Sequence, residues 1–591
     1  MPTMYPRVKT VRKGGQVHQY VQLVEGRRDG GKVRQRVVLT LGRLDELKAS
    51  GQLERWAGAF ARLDPPPVGT RREVGPLLVV AHYLRRLGVV GLVDEVAPMR
   101  GRSLLTHGEV LAALVANRLC APAPLYDVSS WASSAAVAEL LGVPAGLLND
   151  DRLGRALDAI APHAEDLRAK LLLRVLDRTR LDATRLHLDL TAVRFAGRYE
   201  SSTLVKKGWA AERGIKRQVK ALQATTKSGV ALYFRPHPGE RSELPSFMEA
   251  VEALAASLPP GLVVVADSGL GYVENLCILD SSKVGFVIPL RADTGWAERF
   301  RVDVPAGLGA LSRLDYCSQR EQRLPKKART IWKGLLKNFP VADTEGVRHD
   351  LRVAYIWSSE EQASVKDARE RALRKAEDAL GRVAKGLGGR YYKTKKQVDD
   401  RVAVICSEKV SPLIEVRTSE TGGKPTIAWE RNNQAIAKAS QLDGLYAVAT
   451  NLADKDDSRL SALDVLRIYK DQWIVEQRNR DSKQALRVRP VFLHNDARIE
   501  ALIAIIGIAL LIFGLIEAEL RQTLGQGAPL PGILPEGRAA KPTARAALVT
   551  FDGVQATYTK TGLVLDHLSQ IQRVILALLE IALPWPENPA D

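Results

Sequence analysis

The stretch Gly261-Leu262-Val263-Val264-Val265-Ala266-Asp267-Ser268-Gly269 decides how the chain is read. An apolar run with no polar face, stopped by Asp-Ser-Gly, predicts a short strand covered on both sides, as in the middle of an α/β sheet. Asp267 falls where open α/β sheets place their ligands, although an Asp closing a strand is also an ordinary turn former. Upstream, Leu186-His187-Leu188-Asp189-Leu190-Thr191 alternates apolar and polar, which predicts a half-buried strand with Asp189 facing away from Leu188 and Leu190. Residues 218–226 and 230–234 flank the turn Lys227-Ser228-Gly229 as a hairpin. Residues 242–258 have the helical period, and 284–290 form another apolar strand. Three antiparallel strands, a helix, a buried strand, a helix and a further strand make an α/β order.

The rest of the 591 residues exceeds one core, at roughly 100–200 residues per domain. With 46% hydrophobic and 26% charged residues, the chain is not disordered throughout. Residues 1–70 read as a basic β-hairpin arm and linker. Its strands are 18–24 and 32–41, with Gly26, Gly30 and Gly31 between them and Asp64-Pro65-Pro66-Pro67-Val68-Gly69 as a stiff boundary. Eleven basic residues, among them Arg27, Arg28, Lys32, Arg34 and Arg36, face four acidic ones in the first fifty positions. That excess suits either an arm contacting DNA or a sheet edge protected by charge. Residues 71–182 read as an all-α DNA-binding domain, divided at Pro98, Pro122-Ala123-Pro124 and Pro144.

Residues 183–300 are then the first part of the core, and 301–440 an α+β insertion. The insertion holds a basic stretch (Lys326, Lys327, Arg329, Lys333, Lys337), a charged helix over 360–387 and short β segments at 402–406, 413–417 and 426–429. Strand and helix return over 441–524, with Gly444-Leu445-Tyr446-Ala447-Val448-Ala449-Thr450 followed by a helix over 462–484. The apolar segment 501–516, flanked by Glu500 and Glu517, is shorter than the roughly 20 residues that span a bilayer and reads as a buried helix. In the C-terminal tail, 525–591, the stretch from Gly525 to Pro542 is rich in Pro and Gly, and a small helical end follows.

Lys plus Arg number 86 against 67 Asp plus Glu, a net charge of +19 that makes nucleic acid the first partner to expect. Cys120, Cys277, Cys317 and Cys406 form no C-x-x-C pair, which argues against a zinc ribbon or a disulfide framework and for a reducing cytoplasm. No apolar export segment follows Met1, and no phosphate-binding G-x-x-x-x-G-K-[ST] loop implies ATP.

Tyr469, Gln472, Trp473, Glu476, Arg480 and Lys483 are spaced 3, 1, 3, 4 and 3 apart, which places them on one helical face. That face mixes aromatic, acidic and basic groups, unlike a plain core stripe, with Trp473 assigned to packing on the sheet. On these residues the chain resembles the DDE transposases of bacterial insertion sequences. The similar branch has a β-rich insertion between the second Asp and the Glu, and a Tyr-x2-Arg-x3-Glu-x6-Lys signature on the last helix. Tyr469, Glu476 and Lys483 match that spacing, and Gln472 stands where the signature has Arg, with Lys470 or Arg480 as candidates for the missing charge. Leu188-Asp189-Leu190-Thr191 and Val265-Ala266-Asp267-Ser268-Gly269 are similar to the two Asp motifs. The strand over 443–451 is similar to the segment before the signature helix, and Arg34-Gln35-Arg36 with Leu41-Gly42-Arg43-Leu44 to one subgroup's amino-terminal segment. Seventy-eight positions separate Asp189 from Asp267 and 209 separate Asp267 from Glu476, leaving room for the insertion.

The resemblance implies an α/β fold: an RNase-H-like mixed sheet interrupted by an α+β insertion, preceded by the basic hairpin and the all-α domain. It implies Asp189, Asp267 and Glu476 as catalytic residues and ligands of two Mg²⁺ ions (Mn²⁺ as substitute), with Asp189 bridging them. It also implies Tyr469, Gln472, Arg480 and Lys483 as DNA contacts, transposon ends and target DNA as substrates, a homodimer in the DNA complex and no membrane partner. A transposase-derived repressor without catalysis and a metal-dependent nuclease of the same fold are the alternatives. Tyr469 as a covalent nucleophile would need an Arg/His cluster, and no His lies between His349 and His494. The turn Arg390-Tyr391-Tyr392-Lys393-Thr394-Lys395-Lys396 suits either a DNA grip or a solvated loop.

Overall fold

A computed structural model describes residues 3–13, 16–29, 32–49, 66–99, 104–210, 214–318, 320–406, 410–454, 459–484, 493–525 and 527–589. The chain divides into two compact units: Met1–Arg72 with Gln555–His567 and Trp585–Asp591, and Glu73–Val554 with Leu568–Pro584. In the first unit, β1 (Thr3–Lys13), β2 (Gln16–Asp29) and β3 (Lys32–Arg43) form an antiparallel sheet with β2 in the middle. The expected hairpin is therefore a three-stranded sheet. Pro6 disguises β1 in the sequence, and it is tolerated because β1 is an edge strand with one side free of ladder bonds. The side chains of Arg27, Arg28, Lys32 and Arg34, and the first two residues of the linker, Asp64 and Pro65, lie outside the described residues. A short strand, β4 (Arg71–Glu73), follows.

The second unit begins with the expected all-α segment: Leu77–Arg86, Val89–Val96, His107–Cys120, Val128–Ser134, Val137–Leu141, Asp150–Ile160 and Ala164–Arg178. His107–Cys120 is buried almost all round, so it is the central helix. Its start is fixed by a capping box in which Thr106 and Glu109 satisfy each other's backbone N–H groups.

The main sheet is built from β5 (Arg185–Arg194), β6 (Lys206–Ala210), β7 (Gly214–Thr226), β8 (Ala231–Pro238), β9 (Val263–Val265), β10 (Gly285–Pro289), β11 (Ser312–Leu314), β12 (Trp332–Ala342) and β13 (Arg348–Ser358). A separate hairpin, β14 (Ile414–Thr421) and β15 (Lys424–Arg431), precedes its last strand, β16 (Leu445–Thr450). The order is β11-β12-β13-β16-β10-β9-β5-β7-β6, with β8 also paired to β7. β9 runs parallel to both β5 and β10, while β7 is antiparallel to β5 and β8. The run at 261–266 is thus the central buried strand its composition predicts, with Val264 and Val265 fully buried.

Part of the expected insertion belongs to the sheet. β12 and β13 pair along 11 positions, and β13 hydrogen-bonds β16. β12 escaped notice because Lys333, Lys337, Asn338 and Pro340 break its apolar pattern on a half-exposed surface. The α+β remainder spans the helices Ser359–Lys385, Lys395–Ile405 and Asn433–Ser440 with the β14–β15 hairpin, around a local core of Leu373, Ala376, Leu380, Val410 and Ile414. Residues 402–405, expected as strand, continue the helix that Thr394 and Gln397 open with a capping box.

The expected helix over 462–484 is two helices, Ala462–Lys470 and Trp473–Gln484, with a break at Asp471-Gln472. Asp496–Leu524 is long and apolar enough to cross a membrane, yet it is buried within the unit and packs across β8. Gly507 admits Phe234, and Gly514 admits the backbone of Gly229 and Val230. The helices Ala544–Val549 and Gln570–Leu578 bracket β17 (Gln555–Thr559) and β18 (Gly562–Leu565), which form a small sheet with β4.

Candidate active site

The parallel pairing of β5 and β9 brings two of the expected residues to the same edge. His187 lies opposite Val265. Asp189 and Asp267 each follow two positions later and in phase with that pair, Asp189 midway along β5 and Asp267 just past the carboxyl end of β9. Burial pushes the Asp189 carboxyl up to about 7, helped by the charge of Asp267 and, less strongly, of Glu476, while a hydrogen bond from Asn479 opposes the shift. Asp267 is exposed and caps the turn Ser268–Leu270, its Oδ1 accepting from Gly269 N at 3.0 Å. Glu476 is exposed in the first turn of Trp473–Gln484, where the helix dipole favours a carboxylate.

A fourth carboxylate, Glu243, heads the helix Glu243–Ala255. Its carboxyl is raised by burial and then by Asp267. Gly269 makes room for this arrangement: a Cβ there would stand 2.2 Å from Glu243 Oε2 and 3.0 Å from Asp267 Oδ1.

Two side chains tie the glutamate-bearing segment to β5. Gln472 is 8% exposed. Its Nε2 donates to Leu188 O at 2.9 Å, and its Oε1 pairs with His187 Nδ1 at 3.2 Å. Burial drives the His187 pKa down to about 4, so the imidazole is neutral and donates from Nδ1. Asn479 Nδ2 donates to Asp189 Oδ2 at 2.7 Å. Behind this helix, Arg478 is 2% exposed and reaches Gly229 O (2.6 Å), Asp481 (2.7 Å) and Glu517 (2.6 Å).

The other expected residues divide. Tyr469 is partly buried, and its hydroxyl is raised by burial and then by Asp267 and Glu476, which places it among the acids. Gln472 is turned into the protein and bonded to β5. Lys470, a candidate for the missing charge, has its Nζ 4.7 Å from the Trp332 ring centre, 5.6 Å from Tyr469 and 5.7 Å from Tyr446, an aromatic pocket. Arg480 is exposed. The Lys483 side chain lies outside the described residues. Trp473, expected in the core, is 39% exposed, because the break at Asp471-Gln472 turns Gln472 inward and Trp473 out. The six residues therefore do not share one helical face. Sequence reasoning missed Asn479, although its position three residues after Glu476 puts both on one side of the helix. It also missed Glu243, for which no sequence signal exists.

Among the described residues, no three His, Cys, Asp or Glu side chains stand close enough together to hold a metal ion. The donor set nevertheless has the chemistry of a Mg²⁺ site: hard carboxylate oxygens that repel one another, and a buried Asn479 Oδ1 with no hydrogen-bond partner. Residues 170–512 match the transposase DDE domain, a span that holds all three acids. Residues 6–64 match the IS1634 family transposase N-terminal domain, and 70–173 a domain of unknown function (DUF4277). No curated protein matches the chain. DDE transposase domains generally use divalent metal ions and act on DNA. The chain belongs to the DDE transposases of insertion sequences.

Proposed function

We propose that this transposase cuts DNA at the terminal inverted repeats of its own element and joins the freed 3′ ends to target DNA by two-metal-ion phosphodiester chemistry. The observation that supports the reading is the placement of Asp189 within β5 and of Asp267 just past the end of its parallel neighbour β9, with the glutamate-bearing segment hydrogen-bonded to β5. The strand section β8-β7-β5-β9-β10, three antiparallel strands followed by two parallel additions, supports an RNase-H-like reading of the core. Asp189, Asp267 and Glu476 would hold two Mg²⁺ ions, which supply Lewis-acid stabilisation of phosphorane charge and a nucleophile ionised near neutral pH. The protein's own part is to gather these carboxylates, to keep Asp189 oriented through Asn479, and to offer Tyr469 beside them as a hydroxyl donor to the DNA backbone. Arg480 and Lys483 supply cationic charge further along the helix. A pair of element ends implies two copies of the chain in the DNA complex.

The test is an end-labelled duplex carrying the terminal repeat, incubated with Mg²⁺ and a target plasmid. Wild type is expected to give cut and joined products, whereas Asp189→Ala, Asp267→Ala and Glu476→Ala bind the duplex and give neither. Cutting without joining would make the chain a nuclease, a gel shift without chemistry would make it a repressor, and near-normal cleavage by any single variant would remove that residue from the site.

A further inference from the structure

We propose that Asn479 is a positioning residue of the metal centre: its amide nitrogen holds Asp189, and its amide oxygen takes its hydrogen-bond donor from the water carried in by a bound divalent cation. The inference rests on the proposed metal site and adds to it a residue outside the Asp-Asp-Glu set. Asn479 Nδ2 donates to Asp189 Oδ2 at 2.7 Å, and the ionised carboxylate that a bound cation requires can only accept, so Nδ2 faces the acid and Oδ1 is turned away from it. Asn479 is 6% exposed, and Oδ1 has no donor within reach. A buried carbonyl oxygen of this kind is normally satisfied. Here it sits on the residue that grips one of the expected metal ligands, three positions from another.

The backbone around it is fixed from behind. Arg478, its neighbour, is clamped by Gly229 O, Asp481 and Glu517, and Ser482 Oγ donates to Asn479 O at 2.9 Å. Asn479 therefore cannot swing away to find a donor in solvent without breaking buried contacts. Mg²⁺ keeps several waters when it binds through carboxylates, and those waters are donors. Outer-shell partners of this kind typically change metal affinity by about 10–100-fold.

The experiment titrates Mn²⁺ into the full chain and follows free Mn²⁺ by its paramagnetic resonance signal. The samples are wild type, Asn479→Leu, Asn479→Asp and Asp189→Asn. Asn479→Leu, which keeps the volume and loses both polar atoms, is expected to bind about 10–100-fold more weakly while the metal-free chain still melts cooperatively. Asn479→Asp, which keeps an oxygen but sets a second carboxylate where the amide donor held Asp189, is expected to shift Mn²⁺ binding to higher pH, and an unchanged pH dependence overturns the donor role. Should the leucine variant fail to fold, Asn479→Ala replaces it with the same expected loss. Wild-type affinity in the leucine or alanine variant, with Asp189→Asn impaired, overturns the role of Asn479 alone. Wild-type affinity in Asp189→Asn overturns the metal site itself.

Discussion

Asp189 shows how a single carboxyl reports the state of its surroundings. Its pKa lies near 7 in the folded chain, against an ordinary value of 3.8. Between those values the folded state holds a proton that the unfolded state has lost, so stability falls as pH rises from about 4 to about 7. Thermal melting of the metal-free chain should therefore show Tm dropping across that window, and Asp189→Asn should flatten the slope. Saturating Mg²⁺ should restore Tm at pH 8, because a cation bound there favours the ionised form. Gln472 makes a second case. Its two amide contacts hold the strand segment that bears Asp189, and Gln472→Leu leaves Leu188 O and His187 Nδ1 without partners inside the protein. The variant is expected to lose about 1–3 kcal/mol in urea unfolding, and to lose cleavage more than DNA binding. An unchanged unfolding midpoint would mean that the contacts carry no net stability.

At the scale of elements, the helix Asp496–Leu524 explains why the glutamate-bearing helix stays in place. It lies against β8 and contributes Glu517, 1% exposed, to Arg478 and Arg521. Arg478→Met strands that carboxylate with fewer donors and is expected to cost about 3–5 kcal/mol, part of which Arg478→Met with Glu517→Leu should recover in denaturant titrations. Gly514 is a sharper test of the packing. A Cβ there would meet Gly229 O at 2.7 Å and Val230 Cα at 2.8 Å, backbone atoms that cannot rotate aside, whereas at Gly507 the first obstacle is Phe234 at 3.0 Å. Gly514→Ala should thus lower Tm more than Gly507→Ala. Elements of this kind were legible from sequence where one physical signal dominated. The unbroken apolarity of 261–266 and of 501–516 predicted a central strand and a buried helix, and both are present. The signal failed where two effects competed. β12 mixes lysines into a strand half open to solvent, and Pro6 marks an edge that looks like coil. The turn at Asp471-Gln472 broke a periodicity that seemed continuous, so a Tyr-to-Lys stripe drawn on one helix became two faces. In the proposed site, the acids were named through the family resemblance of their motifs. The partners that come from distant sequence, Asn479 on Asp189 and Glu243 beside Asp267, required the fold.

For the molecule as a whole, the net charge of +19 is an electrostatic statement about DNA. Each phosphate neutralised releases condensed counterions, so affinity for duplex should fall steeply with salt. If about 6–10 phosphates are engaged, the loss between 50 and 200 mM salt is roughly 10³–10⁵-fold, measurable by fluorescence anisotropy. A flat salt response would mean that the excess charge faces something other than DNA. If the basic turn at Arg390, with Tyr391 73% exposed, grips DNA, neutralising its lysines should reduce the salt slope without touching metal binding, and an unchanged slope makes it a solvated loop. The proposed centre joins residues 287 positions apart at its extremes, Asp189 and Glu476. The most direct measurement is a crystal of the full chain soaked in Mn²⁺ and imaged by anomalous scattering. Peaks in direct contact with carboxylate oxygens of Asp189, Asp267 and Glu476 are the predicted result, and metal density that leaves any one of the three out of contact would contradict it.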